Sequence, residues 1–182
     1  MAQAGVAQPV PALDQVAVAG IGRRLGDGAV RDLKLSPDRR ALAYLGLSGN
    51  TGMYQAGSVD FATGVTQRLL PNVTRIEHVG VAWRPGATPG ITVGLVDPEE
   101  GVTGRVVMAV DGTPAVPERT TGFDVPVAWS PDGRSLVARA FSGTSPDAPG
   151  REDIVLIDSE GVRRSLGGNG ATEFIGWVAH AP

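Results

Sequence analysis

The chain has 182 residues, which is near the size of one domain and long enough to bury a hydrophobic core of its own. Its 16 Lys and Arg residues are outnumbered by 19 Asp and Glu residues, and the formal net charge of -3 argues against binding to nucleic acid or to an anionic membrane. The sequence has no cysteine, which excludes disulfides and thiolate chemistry, and its 26 Gly and 14 Pro residues favour short strands over helices.

The N-terminal segment, residues 1–29, lacks a basic stretch followed by a long apolar one, and no apolar run of 18 residues occurs in the chain. We therefore expect no targeting signal and no membrane insertion by this segment. Its VAVAGIGRRLG places Gly20, Gly22 and Gly26 as in a dinucleotide-binding fingerprint. The glycine and proline that follow leave no room for the helix that such a site needs. We predict one or two outer strands here and no bound nucleotide.

From residue 30 onward one motif recurs three times, as LKLSPDRRALAYLG, VAWRPGATPGITVGLV and VAWSPDGRSLVARA. The prolines of the three copies, Pro37, Pro85 and Pro131, are 48 and 46 residues apart. A partial fourth copy, EFIGWVAHAP, begins at Glu173. The sequence therefore predicts a structural repeat of about 47 residues.

A second marker has the same period, because Asp60, Asp111 and Asp158 each follow apolar residues and precede a turn that contains glycine. Each repeat thus contains four short predicted strands, from an apolar first strand to a polar fourth, as expected from an inner to an outer strand. Helical patterns are almost absent. The predicted fold class is all-β, built from four-stranded antiparallel sheets.

The Ser-Pro-Asp-Gly stretch of the third copy is predicted to be a hairpin corner. Pro131 presets φ, the Asp132 carboxylate can accept backbone N–H groups, and Gly133 tolerates positive φ. Asp-Gly at 111–112 is a similar hairpin signal. We assign structural roles to the turn aspartates Asp60, Asp111, Asp132 and Asp158.

Residues with the spacing of a catalytic or metal site are missing from the sequence. The two histidines, His78 and His180, are about a hundred residues apart and too few for zinc, so they are loop residues or, alternatively, line a ligand cavity. The acids Asp97, Glu99 and Glu100 lack the spacing of a calcium-binding loop. No Gly-x-Ser-x-Gly pentapeptide occurs. We expect no catalytic residues, no metal and no cofactor.

These motifs resemble those of TolB-like and WD-repeat-like β-propellers, whose repeat reads apolar-apolar-Trp-Ser-Pro-Asp-Gly and then places Asp at the end of its third strand. The third copy matches almost throughout, whereas Leu35, Arg39 and Arg84 depart from the pattern in the first two copies. The resemblance covers about residues 30–182. It implies about three full blades and a partial one, at 30–73, 74–121, 122–169 and 170–182.

A propeller usually closes with four to eight blades, more than this chain supplies in full. Either the ring is small, or another chain completes it, or the sequence is a piece of a larger ring. Unpaired strand edges at the two ends invite pairing with a neighbour, so a homo-oligomer that completes the ring is one expectation.

The resemblance also implies where partners bind. In a propeller the loops between blades and those from second to third strands share one face, opposite the Ser-Pro-Asp-Gly corners, and loops commonly carry function. The predicted contact residues are Arg75, Glu77, His78, Arg119, Asp124, Arg151, Glu152 and Glu173.

The function expected from the resemblance is that of a non-enzymatic propeller module that binds a protein or peptide partner through its loop face. Propellers of this composition are similar to modules of bacterial cell-envelope proteins, which implies an envelope location. Two alternatives stay open: an accessory propeller of a peptidase or other hydrolase, and a propeller that senses a small molecule or sugar.

Overall fold

The computed structural model describes residues 29–72, 75–97, 102–168 and 172–178. The strands predicted in residues 1–28, the glycine fingerprint, Glu99, Glu100 and His180 lie outside this part of the chain. The described residues contain eleven β-strands and no helix. The strands are β1 Val30–Leu35, β2 Ala41–Leu47, β3 Tyr54–Asp60, β4 Thr66–Arg68, β5 Glu77–Arg84, β6 Gly90–Asp97, β7 Val102–Met108, β8 Phe123–Trp129, β9 Leu136–Phe141, β10 Glu152–Ile157 and β11 Arg163–Gly168.

The strands form three antiparallel sheets in which each strand pairs with its neighbours along the chain. The first sheet contains β1 to β4, the second β5 to β7 and the third β8 to β11. Hairpin turns of a few residues connect most of the strands, as the density of Gly, Pro and Asp between the apolar runs predicted. The all-β fold class and its antiparallel blades are confirmed.

The second sheet has three strands, although the repeat predicted four. After β7 the chain makes a single bridge, between Val107 and Pro114, and Ala115 donates its N–H to the Val106 carbonyl over 2.8 Å. Proline has no N–H to donate to a ladder, and Pro114 and Pro117 both fall where the fourth strand was expected. The segment therefore runs beside β7 without forming a full strand.

The last described segment also differs from its expectation. Residues 172–178 contain the start of the partial fourth copy, for which an inner strand was predicted, but none of them is in a strand. Phe174 and Trp177 pack edge to face within this segment, with ring centroids 5.5 Å apart. The boundaries between repeats, including 170–182, stay predictions.

The first strand of each later sheet packs against three strands of the sheet before it. Strand β5 contacts β1, β2 and β3. Strand β8 contacts β5, β6 and β7, so the three sheets stack on one another in chain order. Apolar side chains fill the two interfaces. The first interface includes Ala43, Leu45, Ala56, Val81, Val93 and Val107, and the second includes Ala82, Val106, Trp129, Leu136, Ala138 and Ile157.

The two tryptophans of the repeat occupy corresponding positions at the ends of β5 and β8. Trp83 donates its indole N–H to the Lys34 carbonyl over 2.8 Å, and Trp129 donates its own to Thr92 Oγ1 over 3.0 Å. Both acceptors belong to the preceding sheet. A shared role at two sheet interfaces is what a true structural repeat requires.

The Ser-Pro-Asp-Gly stretch is confirmed as a hairpin corner. Ser130 Oγ lies 2.5 Å from Asp132 Oδ1, and the same hydroxyl accepts the Ser135 N–H over 2.9 Å. This serine bond, with the Arg134 N–H, holds the pKa of Asp132 below its usual value. The corner in the first sheet repeats these contacts around Ser36 and Asp38.

The aspartate that forms the second marker of the repeat also stabilises a turn, as predicted. Asp60 Oδ1 accepts both the N–H and the hydroxyl of Thr63, each over 2.8 Å, and these bonds lower the pKa of Asp60. Asp111 caps its turn through Thr113 in the same way, and its pKa is lowered for the same reason. Asp158 accepts two backbone N–H groups instead.

We predict that Gly133→Ala destabilises the protein more than Gly52→Ala. Both glycines have left-handed φ, 69° and 67°, so alanine costs roughly 1 kcal/mol at either. At Gly133 the new methyl carbon would also lie 2.8 Å from the Pro85 carbonyl oxygen of the neighbouring sheet, whereas Gly52 has open space. Urea denaturation should show the difference, and equal losses would mean that the contact between the corner and Pro85 is unimportant.

We also predict that Thr92→Val lowers the free energy of unfolding by about 1–3 kcal/mol, because it leaves the buried Trp129 N–H without its acceptor. Thr66→Val in exposed β4 is the matched control, and its effect should stay within about 0.5 kcal/mol. Chemical denaturation of both variants checks this, and a Thr92 variant as stable as the control would contradict it.

Candidate partner-binding groove

Two of the eight predicted contact residues are buried in strands. His78 lies in β5 with no exposed surface, and its Nδ1 accepts the Ala56 N–H over 2.9 Å. Asp124 lies in β8 and is 2% exposed. Both side chains are therefore enclosed by the sheets, and a contact of either with a partner stays a prediction.

The Asp124 carboxylate is held between two arginines. Arg163 donates Nη1 and Nη2 to the two carboxylate oxygens over 3.0 and 2.6 Å, and Arg119 Nη1 lies 3.0 Å from Oδ1. Arg119 Nη1 also donates to the carbonyls of Phe123 and Phe141. Since Asp124 is almost fully buried, these bonds compensate for the loss of its hydration and tie the segment before β8 to β11.

Glu77, the first residue of β5, lies at the end of the sheets where the loops with the predicted contact residues were expected to converge. Its side chain is half-buried, and burial raises its pKa, which the charge of Arg31 opposes and that of Asp147 reinforces. Arg31 lies in β1, Glu77 in β5 and Asp147 in the loop between β9 and β10. The starts of β1 and β5 and the long loop before β10 therefore lie near one another, as the propeller geometry predicted.

The loop between β9 and β10, residues 142–151, is stabilised by hydrogen bonds within the loop itself. Ser142 N–H donates to the Arg151 carbonyl over 3.0 Å, and Arg151 N–H donates to Ser142 Oγ over 2.8 Å. Gly143 donates its N–H to the Pro149 carbonyl. Arg151 is thus presented at the surface from a braced loop, and Arg75, before β5, is exposed as well.

A groove with a cavity volume of about 870 Å³ lies between β1 and the third sheet. Its apolar part contains the stacked rings of Phe123 and Phe141, whose centroids are 4.9 Å apart, together with Phe174. Charged side chains of both signs lie beside them. These are Arg31, Asp32, Lys34, Arg139, Glu152 and Glu173.

Two of the predicted contact residues, Glu152 and Glu173, line this groove. Arg139 holds Glu152 in a two-pronged ion pair, with Nε to Oε1 at 2.6 Å and Nη2 to Oε2 at 3.1 Å. This bond lowers the pKa of Glu152 and raises that of Arg139. Both side chains are partly exposed, so the pair contributes little to stability but sets the orientation of one groove wall.

Sequence reasoning missed the groove residues of β1 and β9, since it searched the loops. The signal that could have found Arg139 is its place in an otherwise apolar stretch, SLVARA, where a buried strand would not carry a guanidinium. Arg31, Asp32 and Lys34 lie among the apolar residues of β1, which is an edge strand paired with β2 alone among the described strands. Strand residues with charges, and not loops alone, therefore form the candidate site.

Among residues 29–72, 75–97, 102–168 and 172–178, no three His, Asp or Glu side chains converge as a metal site would need. Within the same ranges there is no helix with the length and apolar character for crossing a membrane.

No protein-family model and no curated protein matches the chain. Solved structures match its fold. TolB from Acinetobacter baumannii aligns with a TM-score of 0.51 and 14% identity, over 78% of this chain and 32% of that one. A protein from Agrobacterium tumefaciens described as a TolB aligns with a TM-score of 0.61 and 20% identity, over 80% and 53%.

A structure from a study of two prolyl endopeptidases also aligns, with a TM-score of 0.53 and 18% identity, over 80% of this chain and 22% of that one. The chain thus spans between about a fifth and about half of the solved structures that it matches. At these identities the likeness concerns the fold. The three stacked sheets are blades of a TolB-like β-propeller, of which the described part forms an open arc.

Proposed function

We propose that this chain is a non-enzymatic propeller module that binds a protein or peptide partner at the loop end of its blades. The observation that carries the proposal is the groove between β1 and the third sheet. The groove is open and is lined by residues of β1, β8, β9 and β10, so an extended segment of a polypeptide can lie across several strands. The sequence-predicted loop residues that remain exposed, Arg75 and Arg151, extend the contact surface.

The lining of the groove supports a polypeptide as the partner. Phenylalanine rings and arginine side chains are enriched where proteins contact one another, and here Phe174 and Phe123 adjoin Arg31 and Arg139. Three basic and three acidic groups line the groove, so its charge does not favour a polyanion. A peptide that contains acidic, basic and apolar residues can pair with the groove charges of both signs and place an apolar side chain between them.

We further propose a location in the bacterial cell envelope. This part of the proposal depends on the likeness to TolB structures and on the resemblance of the repeat, which concern fold. Expression of the natural gene with a fluorescent or epitope tag, followed by fractionation, tests it directly. Recovery of the protein in the cytoplasmic fraction alone would overturn the assignment.

A second candidate function is that of an accessory propeller in a peptidase, and the fold match to a prolyl endopeptidase study favours it. The two candidate functions predict different segments encoded beside the propeller in the natural gene. A hydrolase domain encoded in the same gene would support the accessory role. A membrane anchor encoded upstream would support the binding module.

We predict that peptides selected from a random phage-displayed library bind the wild-type chain and lose affinity for Arg31→Glu. Arg31 lines the groove, is exposed and stacks over the Tyr54 ring, with its guanidinium carbon 3.6 Å from the centroid. Reversing its charge should weaken binding by about tenfold or more. Fluorescence anisotropy with the selected peptides measures this.

Arg134→Glu is the matched control, because Arg134 is equally exposed but lies at the Ser-Pro-Asp-Gly corner, away from the groove lining. Its affinity should stay within about twofold of the wild type. Thermal unfolding of both variants verifies that they fold. Selected peptides that bind both variants equally, or a selection that yields no binder, would refute the groove as the partner site.

We also expect the chain to self-associate when it is isolated. Leu33 and Leu35 are 56% and 54% exposed on β1, an edge strand, and exposed apolar edges favour pairing. The arc covers 53% of the Agrobacterium tumefaciens structure, so a second copy would supply a comparable share of a ring. Light scattering should give twice the mass of one chain. A strict monomer across micromolar concentrations would contradict this expectation.

A further inference from the structure

A second cavity, of about 290 Å³, lies against the third sheet and contains three arginines. Arg119 comes from the segment before β8, Arg151 from the end of the β9–β10 loop, and Arg163 from the start of β11. The other lining residues are small or apolar apart from one acid. They are Ala140, Ser142, Asp153 and Val155.

The charges around this cavity do not balance. Arg119 and Arg163 share the Asp124 carboxylate. Asp153 adds a second negative charge, and its Oδ1 accepts the Ser165 hydroxyl over 2.9 Å. Arg151 makes no ion pair with any residue in the described ranges. Three guanidinium groups therefore face two carboxylates, which leaves one positive charge at the cavity.

The pair that Arg163 forms with Asp124 shows the geometry in which a guanidinium holds a carboxylate at this place. Arg163 already grips Asp124 with two N–H groups on two oxygens, the fork arrangement that guanidinium and carboxylate groups favour. Arg119 and Arg163 keep only 20% and 26% of their side-chain surface exposed, so they meet a ligand with little competition from water. The backbone of Arg151 is tied to Ser142 at both its N–H and its carbonyl.

We propose that this cavity binds one carboxylate group, supplied by an acidic side chain or by the C-terminus of the partner polypeptide. Arg151 forms the new ion pair, and the outer N–H groups of Arg119 complete it. A singly charged carboxylate brings the cavity to neutrality, whereas a phosphate dianion would exceed it. The identity of the partner rests on the proposed function, but the affinity for carboxylate does not.

The test uses the full chain and two blocked amino acids. N-acetylglycine presents a terminal carboxylate, and N-acetylaspartic acid methylamide presents only a side-chain carboxylate. Titration is followed through the Arg Nε–H signals in ¹H–¹⁵N spectra, with Arg151→Gln assigning its own signal. We expect saturable shifts of the Arg151 signal with at least one probe, and the tighter probe identifies the source of the carboxylate.

Arg151→Gln should weaken the affinity about tenfold, because it removes a charged hydrogen bond. The matched control Arg134→Gln, at the opposite end of the third sheet, should leave the affinity unchanged. Asp153→Asn removes one of the competing negative charges and should tighten binding, an effect that a purely structural role would not produce. Inorganic phosphate binding more tightly than both probes would overturn the carboxylate assignment.

Failure of this inference is separable from failure of the proposed function. If selected peptides bind the groove but neither blocked amino acid shifts the Arg151 signal, the carboxylate site is refuted and the groove stands. If the blocked amino acids bind and no peptide is selected, the groove is refuted and the carboxylate site stands.

Discussion

The structure depends on the burial of the first strand of each blade against the blade before it. At the second interface Trp129 is 5% exposed and its indole N–H bonds to Thr92, which has no exposed surface and in turn donates to the Ala82 carbonyl. The apolar residues around this chain of bonds supply the driving force, and the bonds satisfy polar groups that would otherwise be costly to bury. Arg84 covers the Trp129 ring and donates to the Gly133 carbonyl, joining the corner to the same interface.

That mode of stacking also places the surfaces on which binding is proposed. Each interface uses one face of a blade, so the first and third blades keep surfaces that no other described blade covers. The groove opens between β1 of the first blade and strands β8, β9 and β10 of the third, and Val79 of the second blade also lines it. Leu33 and Leu35, which lie on the edge strand β1, stay 56% and 54% exposed.

The arginine cavity has a different origin. Pro114 and Pro117 prevent a regular fourth strand in the second blade, and the chain that follows them carries Arg119 to the carboxylate of Asp124. Small residues in β9, such as Ala140, leave space for the long side chain of Arg163 to reach the same carboxylate from β11. One of the three arginines of the cavity thus comes from the segment where the second blade departs from the four-stranded repeat.

The sequence alone determined the repeat, the all-β class and the corners, because these follow from local chemistry: the φ of Pro131 and Gly133, the reach of Asp132 and the apolar period of the strands. Only the tertiary structure decided that His78 and Asp124 are buried while Glu152 and Glu173 line a groove. Burial and ion pairing depend on which faces of distant strands meet. A one-dimensional pattern places a residue near the end of a strand, but the neighbouring blade decides whether its side chain meets solvent, an arginine or a hydrophobic core.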